Sequence, residues 1–218
     1  MAAFYEPPPP YLPHDPATPA ATSASTRLNP VIFHIGFLER EYRITSEHDN
    51  ELGIKVQPHE WSLKPDLIFY RGKEPTKKTE LASCEFREKT CSVDMAVTKD
   101  SFGDRSTLWW SAMDPETSIF EQFRFMAKVR NANPLGISGL SLTSPRPFVW
   151  KCSSDWKLVD ELTGNVAAIA HNVNSASGQH GSLEILMTYG DKFSLITLTS
   201  YLTLCEKRKR DAKKNRLW

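Results

Sequence analysis

An all-β fold, either a sandwich or a barrel, is what this sequence predicts. Three observations lead there. From Asn29 onward, short runs of β-branched and aromatic residues alternate with polar ones. Turn-forming residues separate those runs at close spacing. No helical periodicity is interleaved between the runs, and no internal repeat is found.

In chain order, the first strands are read at Val31–Phe37, Tyr42–Thr45, Gly53–Val56 and Leu67–Arg71. Leu81–Arg87, Cys91–Val97, Leu108–Ala112, Phe123–Val129 and Phe148–Cys152 follow. Leu158–Asp160 and Val166–His171 then flank Glu161-Leu162-Thr163-Gly164-Asn165. Gly164 adopts positive φ at little cost, which makes this the clearest hairpin in the chain. Ser182–Tyr189 follows a polar loop. Ahead of all these, Met1 to Leu28 is rich in Pro, Ala, Ser and Thr. It has too few apolar side chains to offset the entropy of ordering, so it reads as a disordered tail with polyproline-II character. Within it, Pro8, Pro9 and Tyr11 complete a Pro-Pro-x-Tyr motif, the kind of peptide WW domains grip between aromatic rings.

The charges nearly balance, with 27 basic against 26 acidic residues. That balance hides an asymmetry. Residues 206–218 hold seven Lys or Arg and two acids, a net +5, while the rest carries −4. Such a block is a solvated helix end, a nuclear import signal, or a patch for anionic lipid. The first ten residues, MAAFYEPPPP, offer neither a basic n-region nor an apolar h-region, so no secretory signal is read there. The four cysteines, Cys84, Cys91, Cys152 and Cys205, show no paired spacing and fit a reduced, cytoplasmic setting, with a nuclear or peripheral-membrane location as the variants.

The segment Asp191–Arg210 reads DKFSLITLTSYLTLCEKRKR. Its thirteen uncharged residues, Phe193–Cys205, would rise only about 20 Å as a helix, against the ~30 Å of a bilayer core. A transmembrane span is therefore not expected. As a strand, Ile196, Leu198, Leu202 and Leu204 share one period-two face, with Thr197, Thr199, Tyr201 and Thr203 on the other. As a helix, the segment is apolar all round and must be enclosed. Its Ser and Thr hydroxyls can bond back to the preceding turn, and Asp191 suits an N-cap. Periodicity alone leaves the two readings open.

Several segments resemble a fungal family of the tubby C-terminal-like superfamily, which also includes the plant LURP-one-related proteins and the phospholipid scramblases. They are KPDLIFYRG (64–72), LASCEFRE (81–88), STLWWSAMD (106–114), FRF (123–125), PFVWKCS (147–153), WKLVDELTGNVAAIAH (156–171), GSLEILMTYG (181–190) and the terminal segment with EKRKR. The loop between Trp150 and Leu158 is short, a departure from the family pattern. The resemblance implies a closed antiparallel β-barrel of about twelve strands, spanning residues 29–210, around a hydrophobic helix at about 191–208. Residues 211–218 are then a frayed basic end. The helix would fill the lumen with Phe193, Leu195, Ile196, Leu198, Tyr201, Leu202, Leu204 and Cys205. The lumen is expected to offer no partner for a charge, and Lys207–Arg210 would mark the emergence of the helix into water.

Catalytic chemistry is sought and not found. Gly136-Ile137-Ser138-Gly139 falls one residue short of a nucleophile elbow, and Ser154-x-x-Lys157 lacks its companion motifs. The six histidines show no metal-like spacing, and His171 and His180 are read as solvent-facing. Trp109, Trp110, Trp150 and Trp156 are read as core or wall residues. No cofactor and no nucleic acid is expected, because aromatic and basic residues do not share a face. The expectation is a monomeric, non-catalytic intracellular binding module. Its candidate contacts for anionic headgroups, or for an import receptor, are Lys207, Arg208, Lys209, Arg210, Lys213 and Lys214. The alternative is an adaptor docking a WW-domain protein through Pro8, Pro9 and Tyr11.

Overall fold

Alternation of side-chain burial turns the predicted runs into one wall. The computed structural model describes residues 26–38, 40–46, 49–59, 64–72, 74–87, 92–98, 108–115, 122–130, 143–152, 155–171, 181–187, 189 and 191–215. In the segment Gly181–Met187, buried and half-buried residues alternate without a break. In Glu41–Ser46, Tyr42 and Ile44 point inward while Arg43 and Thr45 face solvent. Successive strand side chains point to opposite faces, so each run supplies one apolar face to an interior.

Twelve strands result: β1 Thr26–Leu38, β2 Glu41–Ser46, β3 Asp49–Pro58, β4 Leu67–Arg71, β5 Glu80–Phe86, β6 Val93–Thr98, β7 Leu108–Pro115, β8 Gln122–Arg130, β9 Thr143–Cys152, β10 Trp156–Asp160, β11 Val166–His171 and β12 Gly181–Met187. A single helix, α1 Asp191–Asn215, follows. Every strand is antiparallel to its sequence neighbours. The sheet closes where β1 lies between β12 and β2, Phe33 facing Leu183 on one side and Ser46 on the other. Each strand thus has a paired neighbour on both sides. The seam between β7 and β8 is short, joined at Met113–Phe125, Asp114–Arg124 and Pro115–Phe123.

α1 occupies the lumen. Phe193, Ile196, Leu198, Tyr201, Leu202, Leu204 and Cys205 are buried, and Leu195 is half-buried against the same core. Thr197, Thr199, Ser200 and Thr203 are buried as well, so both faces of the would-be strand are enclosed. That decides the conformation. Neighbouring strands already satisfy the barrel wall, and an extended segment inside it would leave its own backbone groups unpaired. A helix bonds to itself. The hydroxyls follow the same logic: Ser200 Oγ donates to the Thr197 carbonyl at 2.9 Å and Thr203 Oγ1 to that of Thr199 at 2.7 Å. The helix runs closest to β5, β6 and β8, where the inward positions include Ala82 and Ala127. From the neighbouring β9, Trp150 Nε1 donates to Ser200 Oγ at 2.9 Å, and its ring lies 5.5 Å from that of Tyr201.

Several boundaries differ from the sequence reading; β3 begins at Asp49 rather than Gly53, and β9 at Thr143 rather than Phe148. β1 starts at Thr26, inside the stretch assigned to the tail, because Thr26 pairs with Met187 across a bulge. The helix continues to Asn215, past the expected end near residue 208 and through most of the segment read as frayed. Lys207 and Asp211 pair at 3.0 Å one turn apart, and the terminal cations oppose the helix dipole. The β1–β2 turn holds Arg40 at φ 67°, a left-handed conformation in a residue that gives no sequence signal for it. The hairpin at Gly164 is as read: its φ is 72°, and its amide donates to the Asp160 carbonyl at 2.8 Å. The side chain of Asp191, the expected N-cap, lies outside the described residues.

Each large apolar side chain of α1 contributes about 1.5–3 kcal/mol when fully buried. Together they rival the ~5–15 kcal/mol net stability of a whole domain. Leu198→Asp is therefore expected to abolish the cooperative unfolding transition in urea, and truncation before Phe193 to yield no folded product. A soluble truncation that melts cooperatively would show that the barrel stands without its helix.

Candidate functional site

Strict antiparallel order fixes which loops share an end. The end of the barrel where α1 leaves carries the last residues of β1, β3, β5 and β9 and the first of β2, β4, β6 and β10. Three consecutive cations of the helix are seated there on three different rings. Arg208 lies 4.2 Å from the Trp156 ring of β10, Lys209 4.3 Å from Phe37 of β1, and Arg210 4.7 Å from Phe86 of β5. Cation–π contacts of this kind contribute about 0.5–1 kcal/mol each at partly exposed positions.

Arg210 is the centre of the rim. Its Nη1 donates to Asp66 Oδ1, its Nε to Glu206 Oε1 at 3.2 Å, and its Nη2 to the His59 carbonyl at 3.2 Å. Asp66 Oδ2 accepts the Phe86 amide at 2.8 Å, so the arginine ties the helix to both β3–β4 and β5. Glu206 is 0% exposed. It accepts from the Tyr42 hydroxyl at 2.9 Å and from Lys209 at 3.4 Å.

The electrostatics follow the burial. Burial, and then the charge of Glu206, pushes the Tyr42 phenol far above its ordinary range. Burial opposes the charge on Arg210, but the bonds to Asp66 and the charges of Asp66 and Glu206 outweigh it and raise its pKa. Burial, aided by Lys64 and Arg210, lowers that of His59. Cys84 and Cys205 are pushed up to about 12 by burial, which keeps both thiols neutral and poorly nucleophilic.

The lumen was expected to hold no partner for a charge, and the structure corrects this. Glu206 is buried at one end. At the other, Arg146 Nη1 donates to Asp160 Oδ2 at 2.8 Å, and the Tyr189 hydroxyl donates to the same oxygen at 2.5 Å. All three residues are buried. Sequence reading missed both networks, because Tyr42 and Asp66 lie far along the chain from Glu206 and Arg210, and Arg146, Asp160 and Tyr189 belong to separate segments. Only Glu206, an acid directly before a cationic run, stood beside the signal.

The expected cationic surface divides in two. Lys207, with 13% of its side chain exposed, is held by Asp211, and Arg210, with 18%, is locked into the rim. Emergence into water therefore comes later than Lys207. Arg208 keeps its outer edge exposed above Trp156, and Lys213 and Lys214 are exposed on the last turns. Trp150 is fully buried and Trp156 half-buried. His171 is partly exposed, 3.5 Å from Asp155 and 3.9 Å from Glu184. The side chains of Trp109 and Trp110, the glycine-serine loop at 136–139, Ser154, His180, and Pro8, Pro9 and Tyr11 lie outside the described residues.

No family model matches this chain, and no curated protein matches it. A solved X-ray structure of an Arabidopsis thaliana protein is similar at 14% identity and a TM-score of 0.47, covering 82% of this chain and 92% of that one. Among the described residues, no helix is long and apolar enough to cross a membrane.

Removing Arg210 would leave Glu206 buried without its main partner, a change that costs about 3 kcal/mol or more. Arg210→Ala is therefore expected to lower the urea midpoint strongly, while Lys213→Ala and Lys214→Ala stay within about 0.5 kcal/mol of the parent. Equal effects at the three positions would show that the rim lock does not exist.

Proposed function

We propose that this protein is a non-catalytic intracellular binding module whose helix-exit end meets the anionic headgroups of a phospholipid surface. One observation carries the reading: the end of a helix locked by Arg210 presents Arg208, Lys213 and Lys214 to solvent. A cation near an anionic leaflet gains about 1 kcal/mol, so three of them give roughly a hundredfold partition over a neutral surface. Pre-anchoring the helix means little ordering entropy remains to be lost on contact. The resemblance of residues 53–210 to the tubby C-terminal-like family agrees with a barrel used for binding, though a fold alone does not specify a ligand.

The test is co-sedimentation with phosphatidylcholine vesicles, with and without phosphatidylserine, over a range of salt. Binding should require the anionic lipid, weaken steeply with salt, and fall about tenfold or more in a Lys213→Ala, Lys214→Ala double variant whose melting temperature is unchanged. Binding that ignores lipid charge would overturn the reading.

The motif at Pro8, Pro9 and Tyr11 supports a second, separable partner, a WW-domain protein. A WW domain should then be captured by the full chain with roughly micromolar affinity, and Tyr11→Ala should abolish the capture. Equal capture by both chains would reject the motif.

A further inference from the structure

We infer that His59 is a proton-sensitive catch on the helix-exit rim: when its imidazole takes up a proton, the last turns of α1 come off the barrel. This catch does not depend on an anionic surface. His59 follows directly on β3, and its backbone is part of the lock. Its amide donates to the Asp66 carbonyl at 2.8 Å, and its own carbonyl accepts Arg210 Nη2 at 3.2 Å. Its ring is placed differently. Nε2 is shut off from solvent and, among the described residues, has no hydrogen-bond partner. A neutral imidazole can leave one ring nitrogen as an unused acceptor. An imidazolium cannot, because both nitrogens then carry a hydrogen and the ring carries a charge.

The acceptors of the rim are already committed. Asp66 Oδ1 takes Arg210, and its Oδ2 takes the Phe86 amide. Glu206 Oε1 takes Arg210, and its Oε2 takes Tyr42 and Lys209. Three charged groups act on the ring: Lys64 from the segment before β4, Arg210 from α1, and Asp66. Burial, then Lys64 and Arg210, hold the ring below its ordinary pKa of 6.5, against the pull of Asp66. At neutral pH the catch is therefore uncharged and closed.

A proton on His59 acts on Arg210 in two ways. The imidazolium draws Asp66 away from the guanidinium, and its charge repels the guanidinium from the His59 carbonyl. Either way it loosens the residue that ties α1 to β3–β4 and β5. The folded chain resists this proton, while the unfolded chain accepts it at the ordinary histidine value. The unfolded state therefore binds more protons in mild acid. The stability that goes with a neutral His59 is complete above about pH 6.5 and is lost as pH falls toward the lowered folded value. Ordinary carboxylates titrate only near pH ~4. Among the described histidines, His59 is the one bonded to Arg210.

The experiment is amide hydrogen exchange on the full chain at about pH 7.5 and about pH 5.5, on either side of the histidine range. Exchange is read as protection factors, so that its chemical pH dependence drops out, and melting temperatures are taken at both values. In the parent, residues 210–215 should lose protection several-fold in acid while Ser200–Leu204 in the lumen keep theirs, and the melting temperature should fall. His59→Gln, which carries no titrating group, should hold protection at 210–215 level between the two conditions and lose less of its melting temperature. Unchanged protection at 210–215 in the parent overturns the catch, since the ring would then take its proton without disturbing Arg210. An equal acid-induced loss in His59→Gln overturns it by assigning the effect to another group. A loss spread evenly from Phe193 to Asn215 overturns it too, because the whole rod and not its end would be moving. If His59→Gln does not fold, the location of the loss in the parent decides.

Discussion

A wall of twelve strands encloses more space than its own inward side chains can fill, since filling from the wall alone suits a barrel of about eight strands. The interior must therefore be occupied, and by something whose backbone needs no partner. Only a helix meets both conditions. Every strand already has a neighbour on each side, and an insert without internal hydrogen bonds would bring unpaired amides into an apolar lumen. The composition of α1 follows from this constraint. Its stretch Phe193–Cys205 carries no charge and is apolar on every side, and the buried hydroxyls of Ser200 and Thr203 bond to the preceding turn.

A rod inside a cylinder can slide and rotate unless something fixes its register, and apolar packing is a weak fix because hydrophobic attraction has no direction. Directional contacts are placed at the two ends. Where α1 begins, Tyr189 joins Arg146 and Asp160, and its ring packs on Phe193 at 4.9 Å. Where α1 leaves, Tyr42, Glu206, Arg210 and Asp66 form a chain from wall to helix to loop. Buried ion pairs of this kind give little net stability against apolar replacements, but their geometry is specific. Leu198 and Leu202 exclude water from the middle of the rod, and the ion networks define its depth and rotation.

The strands were legible in the sequence because each is a short run whose alternation matches the pleat. Leu67–Arg71 and Val166–His171 appear with the same bounds in both. The β1–β2 turn gave no signal, since Arg40 takes a left-handed conformation that glycine or asparagine would have advertised. The conformation of α1 could not be decided from periodicity, because total enclosure erases the difference between a strand and a helix pattern. The rim was least legible. Arg210 and Asp66 are 144 residues apart, and pairing across such a distance leaves no local trace. Composition made the cationic run visible but could not say which of its members the barrel would use.

That division follows from helix geometry. Four consecutive cations on a helix, 100° apart, point in four directions around a rim. In Lys207–Arg210 one meets Asp211, one Trp156, one Phe37, and one Phe86 with Asp66 and Glu206. A receptor that reads these residues as a linear peptide would have to unwind the last turns of α1 and break the Arg210 contacts, stranding the buried carboxylate of Glu206. A charged surface requires no such change. It meets the outer edge of Arg208 and the exposed Lys213 and Lys214 where they already stand. The same fold that makes the basic run costly to read as an import signal leaves it ready as a cationic surface.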